Sequence, residues 1–542
     1  MKQLPIKIEN FKEMIDQQYY YVDKTNLILD VLKEKYVSYI RPSKFGKTLT
    51  LSMLYYFFSN KEKDNAYLFN ELNITTNHEA IKHLNLYPTI LIDFKRMKCK
   101  SYEEQISVFS KIIQEIILKY NDAFFNNKVD ESDQIQLKQL LTSTSNTLYL
   151  SDYLFLITRL LYQHYHQKVI ILIDNYDIPL HAAFHNNYYE DMSYFLDSLF
   201  TSSFKGNLYL ERCVMTGCLD LYYEKSFEPL YSTYINSIFY AGSDLFGFTE
   251  KELFQILKEY GLLYCLKEIK EWYGRYTVKR YKVYNPYCII MYINNKVNNL
   301  HNKPLSYWNV AMETYLLNAF IKMNTCTHNI EFEKLMHGYT LIKQVDPKTN
   351  LKEMYRNNIY SSLLYAGYLT VVKELEDGKY ELKIPNKETY EFIRKNFDCY
   401  YEKYMNAHQE SLYQSFIGGN VYESNKILGN LIFTNIWYPD NQFISYYNLL
   451  KQVFRNYKIK AHKTNDLELT LIVYPHHKLD RVLIIETRNS YSLKNLLQDA
   501  RIGADQINKK KYKEEVLNEG YLHVVGYGIS FYKKQCYIVK CD

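Results

Sequence analysis

Short apolar runs alternate with amphipathic stretches through the first half of the chain. Apolar positions recur at helical spacing at Tyr102–Leu118 and again at Leu154–His166. Strands that alternate with helices predict a parallel sheet covered on both faces. The runs that we expect to form its strands are Tyr36–Ile40, Pro88–Phe94, Val169–Asp174, Leu208–Thr216 and Tyr234–Tyr240.

The pattern changes after Phe248. Thr249–Glu252 is a capping-box sequence, which predicts the start of a helix, and the spacing stays helical to about Leu300. We expect a small helical lid in this region. The mixed region that follows, from about Pro304 to Phe397, contains a predicted hairpin with strands at Leu369–Leu375 and Lys379–Ile384.

The tail has an α/β pattern of its own. It is helical from about Tyr401 to Arg455, and strands and one further helix follow. We expect three domains, at residues 1–248, 249–400 and 401–542. The predicted elements of the tail are strands at Leu467–Tyr474, Arg481–Thr487, His523–Tyr532 and Gln535–Lys540, with a helix at Ser492–Glu515.

Composition narrows the class of protein. Hydrophobic residues make up 47% of the 542 positions and the net charge is only +6, so no nucleic-acid partner is required. No apolar run is long enough to cross a membrane, and no secretory signal is expected. The nine cysteines lack CxxC pairs, which favours reduced thiols. We therefore expect an intracellular protein, in the cytoplasm or the nucleus.

A phosphate-binding loop is predicted between the first strand and the helix that follows it. The sequence RPSKFGKT ends in Gly46, Lys47 and Thr48. Backbone N–H groups at a helix N-terminus bind phosphate oxygens, Lys47 can reach the β- and γ-phosphates, and Thr48 can ligate Mg²⁺. The standard pattern has glycine where this chain has Arg41. We expect the loop residues Arg41, Lys44, Phe45, Gly46, Lys47, Thr48 and Leu49 to hold the nucleotide.

Two further strand ends support a nucleotide site. The apolar strand KVIILID ends in Asp174, which would hold Mg²⁺, and Thr216 ends the next strand, where it would sense the γ-phosphate. An active ATPase of this type has glutamate after that aspartate, but this chain has Asn175, whose amide cannot take a proton. Asp177, three residues after Asp174, could replace the missing general base only if the turn brings its carboxylate over the γ-phosphate.

With these residues in place, the chain resembles AAA-ATPase-like proteins that carry a C-terminal PD-(D/E)XK nuclease-type domain. The resemblance implies a P-loop NTPase sheet, a helical lid, a mixed middle region and a restriction-endonuclease-like tail, and it makes Arg41 a family trait. The family has Asp-Glu-Tyr-Asp where this chain has Asp174-Asn175-Tyr176-Asp177. The matching segments are YYVDKT at Tyr20–Thr25, RPSKFGKTLTLSML at Arg41–Leu54, LIDNYDIPL at Leu172–Leu180, Thr216-Gly217, FGFTEKE at Phe246–Glu252, EWYGRY at Glu271–Tyr276, VYNPY at Val283–Tyr287, AGYLT at Ala366–Thr370 and KIPNKE at Lys383–Glu388.

The same resemblance implies a degenerate nuclease site in the tail. Such a nuclease needs two acids for Mg²⁺ and a lysine near the attacking water. The first acid position holds Thr470, and the Glu-x-Lys motif is present as Glu486 and Arg488. Gln506 is a further vestigial position, and Asp466 or Glu468 could compensate only after a change of register. The nearby Lys509–Lys511 run is expected to be a solvated helix face.

The leading hypothesis is an ATP- or GTP-binding protein with Mg²⁺, impaired hydrolysis and a catalytically dead tail. The tail would serve as a binding or assembly module and is a candidate for binding nucleic acid. A homo-oligomer of the chain is a further candidate assembly. One rival is an active ATP-dependent DNA nuclease in which Asp177 and Glu486 suffice. The other is a structural scaffold that binds no nucleotide.

Overall fold

The chain divides into two compact units in a computed structural model. The first comprises Met1–Phe320 with Gly338–Phe392, and the second comprises Ile321–His337 with Ile393–Asp542. Along the chain the described residues are 1–142, 150–219, 234–236, 245–274, 276–278, 281–308, 317, 331–332, 334–345, 351–352, 359–434, 442–465 and 468–541.

A parallel sheet forms the centre of the first unit, as predicted. Its strand order is β2-β3-β4-β1-β5, and every neighbouring pair is parallel. Residues 237–240 of the last predicted run lie outside the described part of the chain. The strands are β1 (Tyr36–Ile40), β2 (Thr89–Asp93), β3 (Val169–Asp174), β4 (Leu210–Gly217) and β5 (Tyr234–Asn236).

Burial explains why the apolar runs form this sheet. All six residues of β3 are buried, as expected for a central strand covered on both faces. One apolar cluster joins β1, β3 and β4 to the Lys47–Phe58 helix. The α-helices in the described part of this unit are Phe11–Asp16, Leu27–Val31, Lys47–Phe58, His78–Ile81, Tyr102–Lys119, Asn121–Phe124, Glu131–Thr142, Tyr153–Tyr165, Ile178–His185, Tyr189–Phe204, Glu250–Glu259, Leu266–Trp272, Pro286–Asn298 and Ile359–Tyr365.

The predicted capping box is confirmed. The Thr249 hydroxyl accepts from the Glu252 backbone N–H at 3.3 Å, and the Glu252 carboxylate accepts from the Thr249 N–H at 2.8 Å. The prediction of an all-helical lid is wrong, because a small antiparallel sheet interrupts the helices of this region. That sheet has the order β6-β8-β7, with β6 at Phe248–Thr249, β7 at Tyr276–Val278 and β8 at Tyr281–Tyr284.

The hairpin of the middle region is also confirmed. β10 (Thr370–Glu374) and β11 (Lys379–Lys383) pair antiparallel, and β9 (Leu341–Gln344) adds a third strand beside β11. Asp377 and Gly378 both have positive φ, of 59° and 67°. An aspartate followed by glycine suits this conformation, and the tight reversal follows from it.

The second unit contains a five-stranded sheet in the order β12-β13-β14-β15-β16. The four predicted strands are present, and β12 at the edge is an additional one. The predicted Ser492–Glu515 helix is two helices, because Lys511 has φ +55°. The strands are β12 (Lys458–Asn465), β13 (Glu468–Tyr474), β14 (Arg481–Asn489), β15 (His523–Tyr532) and β16 (Gln535–Lys540), and the described helices are Lys387–Ile417, which begins in the first unit and continues into the second from Ile393, and Val421–Thr434, Gln442–Val453, Leu496–Lys509 and Tyr512–Asn518.

Within the described ranges, none of the helices combines the length and the apolar character needed to cross a bilayer.

A buried carboxylate organises part of the first unit. Glu388 is 1% exposed, and its Oε1 accepts from the backbone N–H groups of Tyr307 at 2.6 Å and Trp308 at 2.8 Å. Burial raises the pKa of Glu388 to about 7, although these hydrogen bonds oppose the rise. The carboxyl group therefore binds a proton more tightly in the folded chain than in the unfolded one.

Glu388 should make stability depend on pH. Its folded-state pKa exceeds the ordinary value of 4.5. The stability that the protonated carboxyl group contributes is therefore fully present below pH 4.5 and is lost as pH rises through about 7. We expect Glu388→Gln, which keeps an acceptor oxygen, to remove this loss. The melting temperature of the natural chain should fall relative to that of Glu388→Gln between about pH 5 and about pH 8. Parallel pH curves for the two proteins would contradict the assignment.

Candidate functional site

The Arg41–Thr48 loop links β1 to the Lys47–Phe58 helix at the carboxyl edge of the central sheet. Lys44 and Gly46 have positive φ, of 66° and 88°. No heavy atom lies within 4 Å of the position a Cβ would take at Gly46. Gly46 is therefore required by its backbone conformation, and open space remains beside it for a ligand.

Lys47 lies against the loop that precedes it. Its Nζ donates to the carbonyl oxygens of Arg41 at 2.8 Å and Pro42 at 2.9 Å, and it lies 3.4 Å from the Cys218 sulfur. Its side chain is buried, with 6% of the residue exposed. The ammonium group is thus held at the loop by neutral acceptors, which a phosphate oxygen can replace.

Two threonine hydroxyls converge on the buried carboxylate of Asp174. Thr48 Oγ1 donates to Asp174 Oδ2 at 2.6 Å, and Thr216 Oγ1 donates to Oδ1. Burial raises the pKa of Asp174, and the two hydroxyl hydrogen bonds oppose that rise. Because β4 lies between β1 and β3, Thr216 reaches Asp174 from the neighbouring strand. The structure brings together the three side chains that the sequence predicted for the metal and its sensor.

Asn175 is held in a left-handed conformation with φ +58°. Its Nδ2 donates to Oδ1 of Asp93 at 2.8 Å. Asp93 ends β2 and is register-paired with Asp174 at the end of β3. Sequence reasoning missed Asp93, although it ends an apolar strand as Asp174 does.

The Asp177 carboxylate is engaged with the end of β4. Its Oδ2 accepts from the backbone N–H groups of Cys218 at 2.9 Å and Leu219 at 3.0 Å. The residue is 2% exposed. The Nε2 atom of His181 lies 3.8 Å from the same carboxylate oxygen. Burial is the main reason that the pKa of His181 is lowered to about 4. Asp177 thus holds the turn after β4.

A cleft of about 330 Å³ opens over the loop. Its walls include Lys44, Phe45, Lys47, Thr48 and Leu49, together with Asn175 and Asp177. The Arg41 side chain instead is 1% exposed, donates to the Ile40 carbonyl at 2.8 Å and lies over the Phe246 ring. Its guanidinium therefore packs behind the loop. The apolar part of the cleft is lined by Ile6, Ile8, Tyr20, Tyr21, Val22, Phe248, Tyr287, Ile290 and Met291.

The cleft is rich in positive charge. Among the described residues its walls carry two carboxylates, Glu9 and Asp177. The Glu9 carboxylate lies between the ammonium groups of Lys44 at 3.5 Å and Lys95 at 3.3 Å. This excess of cations suits a polyphosphate. The lysines in the walls are Lys7, Lys24, Lys44, Lys47, Lys95 and Lys98.

These residues fit a nucleotide with Mg²⁺. Mg²⁺ usually takes one or two protein oxygens and completes its shell with water and phosphate. Thr48 and Asp174 supply a hydroxyl and a carboxylate within 2.6 Å of each other. No group of three or more His, Cys, Asp or Glu residues forms a metal site in the part of the chain that is described. A site completed by phosphate does not need such a group.

The residues that the resemblance assigned to a degenerate nuclease site also meet in the second unit. Glu486 is fully buried and lies opposite Thr470, whose hydroxyl donates to it. Lys510 Nζ lies 2.7 Å from the same carboxylate. Gln506, with its amide oriented to suit both neighbours, donates to Glu486 and accepts from Arg488, each at 3.0 Å. The expectation that Lys510 belongs to a solvated face is wrong, because it pairs with Glu486.

The other two candidates for a second acid stay untested. Asp466 lies outside the described residues. Glu468 belongs to β13, where it is register-paired with Arg488, and its side chain is not described.

The chain is similar to known proteins. The family model "AAA-ATPase_like: Predicted AAA-ATPase" matches residues 5–227. A protein of Azotobacter chroococcum mcd 1, named for its place in the vnfD 5′ region and otherwise uncharacterized, is 21% identical over 394 residues, which cover 71% of this chain and 68% of that protein. The family match spans the loop, Asp174 and Thr216. It supports nucleotide binding by the first unit and ends before the tail.

Proposed function

We propose that this chain binds ATP or GTP with Mg²⁺ at the Arg41–Thr48 loop and hydrolyses it slowly. The observation that carries the proposal is the convergence of Thr48 and Thr216 on Asp174 beside the Lys47 ammonium. A phosphate loop needs a mobile cation for the β- and γ-phosphates, and a hydroxyl and a carboxylate for the metal. Lys47 and Thr48 line the cleft, and Asp174 lies directly behind Thr48, within hydrogen-bond distance of its hydroxyl.

Binding of phosphate follows from the loop and the charge of the cleft. The Lys47–Phe58 helix begins after Gly46 without a side-chain cap, so its N-terminus presents backbone N–H groups and the positive end of its dipole to a phosphate. The phosphates would exchange with the Arg41 and Pro42 carbonyls for the Lys47 ammonium. When bound, Mg²⁺ would neutralise phosphate charge, with Thr48 and Asp174 as its protein ligands.

Slow hydrolysis follows from the groups that face the reacting end of the cleft. Asn175 stands where a general base is needed, and its amide cannot accept a proton at neutral pH. One carboxylate oxygen of Asp177 already accepts hydrogen bonds from two backbone N–H groups. Loss of general-base assistance typically lowers a rate by ~10²–10⁴-fold. The site is therefore proposed to retain its nucleotide as a structural ligand or a slow switch.

We further propose that the tail is an inactive nuclease-like module that serves in binding or assembly. Thr470, Lys510 and Gln506 surround the carboxylate of Glu486, and the ammonium group of Lys510 supplies the positive charge a metal would bring. An Mg²⁺ site needs more anionic oxygen than one paired carboxylate offers. A nucleic acid and a second copy of the chain are the candidate partners.

Nucleotide binding should depend on Lys47. We expect saturable binding of fluorescent ATP and GTP analogues in the presence of Mg²⁺, and at least ~10-fold weaker binding by Lys47→Ala, because a charge-assisted contact contributes ~1.5–3 kcal/mol. Lys82→Ala is the matched control, since Lys82 is exposed and its ion pair within the described residues is with Glu79, three positions earlier in the chain. Equal affinities of the natural chain and Lys47→Ala, or no saturable binding, would favour the scaffold.

Turnover should be slow even when the site is filled. With protein in excess over labelled Mg·ATP or Mg·GTP, we expect most of the bound nucleotide to be recovered intact. Rapid hydrolysis that Asp177→Asn abolishes, while binding persists, would instead identify Asp177 as the base. The asparagine keeps an acceptor oxygen for the Cys218 and Leu219 N–H groups, so the turn should survive.

The tail should not cleave DNA. We expect no Mg²⁺- or Mn²⁺-dependent cleavage of single- or double-stranded DNA, with or without ATP. Glu486→Gln should lower the melting temperature, because removing one member of a buried ion pair costs up to about 3–5 kcal/mol of stability. The cost should be smaller here, since the partner Lys510 is partly exposed. Cleavage that disappears in Glu486→Gln would establish the active-nuclease alternative.

A further inference from the structure

We propose that Lys95 and Lys44 form a subsite for the terminal phosphate of a nucleoside triphosphate, and that Glu9 occupies this subsite until the nucleotide displaces it. As a part of the same cleft, the subsite rests on the proposed function. Lys95 and Glu9 lie outside the phosphate-loop pattern. Two contacts carry the inference: Glu9 Oε1 lies 3.5 Å from Lys44 Nζ, and Glu9 Oε2 lies 3.3 Å from Lys95 Nζ.

Lys95 lies at the end of the cleft where the γ-phosphate would be held. It follows β2, and its backbone N–H donates to Asp93 Oδ1 at 2.8 Å. The same oxygen accepts from the Asn175 side chain at 2.8 Å, so one carboxylate fixes both residues. Lys95 and Asn175 both line the cleft. Asn175 directly follows Asp174, the proposed metal ligand, so the turn that carries Lys95 is held beside the metal position.

Lys44 reaches the same place from the phosphate loop, which follows β1. Strands β3 and β4 lie between β1 and β2 in the sheet. The Lys44 and Lys95 side chains therefore meet across the ends of these two strands, where the Thr216 hydroxyl donates to Asp174. Because the metal and the γ-phosphate would lie at these strand ends, the two ammonium groups border the position of the terminal phosphate.

Glu9 shows what kind of group the two lysines can share. Its carboxylate accepts from both ammonium groups, and the oxygens of a phosphate can do the same. A terminal phosphate carries roughly two negative charges at neutral pH, against a single charge on the carboxylate. The Glu9 side chain is 44% exposed, so water is available to solvate it when a phosphate takes its place. The phosphate is therefore the stronger partner for this pair of cations.

A nucleoside diphosphate lacks the group that this subsite would hold. Lys47 can contact the β-phosphate of either nucleotide, whereas Lys95 would contact only a third phosphate. The cleft should therefore bind triphosphates more tightly than diphosphates, and Lys95 should account for part of that difference. The preference comes from charge alone and does not require hydrolysis. It suits a site that retains its nucleotide and responds to the number of phosphates.

The test measures affinity in the full-length chain without turnover. Dissociation constants are compared for the Mg²⁺ complexes of the β,γ-imido analogues of ATP and GTP and for those of ADP and GDP. In Lys95→Ala the preference for the triphosphate should fall at least ~3-fold, within the range of a partly exposed ion pair. Lys95→Arg keeps the charge and should keep most of the preference. Arg96→Ala is the matched control, because Arg96 belongs to the same turn, pairs with Glu115 and lies outside the walls of the cleft.

A second variant tests the displacement of Glu9. Glu9→Gln removes the competing charge, so it should raise the affinity for the triphosphate analogue ~2- to 5-fold and that for the diphosphate by less. The gain should shrink when Lys95→Ala is added, because the two residues share one contact. Glu13→Gln is the control, since Glu13 is exposed and lies outside the walls of the cleft.

The possible results separate the subsite from the proposed function. An unchanged triphosphate preference in Lys95→Ala, with nucleotide binding intact, would overturn the subsite and leave the proposed function standing. An equal loss of preference in Arg96→Ala would also overturn it. Equal gains for triphosphate and diphosphate in Glu9→Gln would overturn the displacement of Glu9. If the natural chain binds none of the four nucleotides, the proposed function fails and the subsite fails with it.

Discussion

A carboxylate buried at the end of a central strand is tolerated only when hydrogen bonds replace the water it has lost. Asp174 meets that condition with two hydroxyls, from Thr48 and Thr216, and with the backbone N–H of Asn175 at 3.0 Å. These partners come from three different segments of the chain. The position of the loop, the end of β4 and the turn after β3 are therefore fixed relative to one another by one group.

The strand order makes this convergence possible. β4 lies between β1 and β3, so Thr216, near the end of β4, reaches Oδ1 of Asp174 from the adjacent strand. Thr48, in the loop that follows β1, donates to Oδ2 of the same carboxylate. On the other side of β3, the end of β2 brings Asp93 against Asn175. Each neighbour of β3 thus contributes one polar side chain to the same edge of the sheet.

The parts of the fold that the sequence predicts are those with strong local patterns. β3 is apolar throughout because both faces of the sheet are covered, so its extent could be predicted to the residue. β12 was missed because it is an edge strand, and none of residues 458–462 is buried. β7 and β8 were missed because three or four residues are too few for the strand period to stand out between helices.

The residues of the candidate site differ in the same way: those that belong to a strong local pattern could be predicted, and the others could not. Gly46, Lys47, Thr48 and Asp174 are recognisable from sequence because the phosphate loop and the strand-end acid each occupy one short segment. The Asp93–Asn175 contact joins residues 82 positions apart in the chain and depends on which strand lies beside β3. Binding a nucleotide can therefore be argued from local motifs. The Asn175–Asp93 contact could not be predicted in this way, because it depends on β2 lying beside β3 in the sheet.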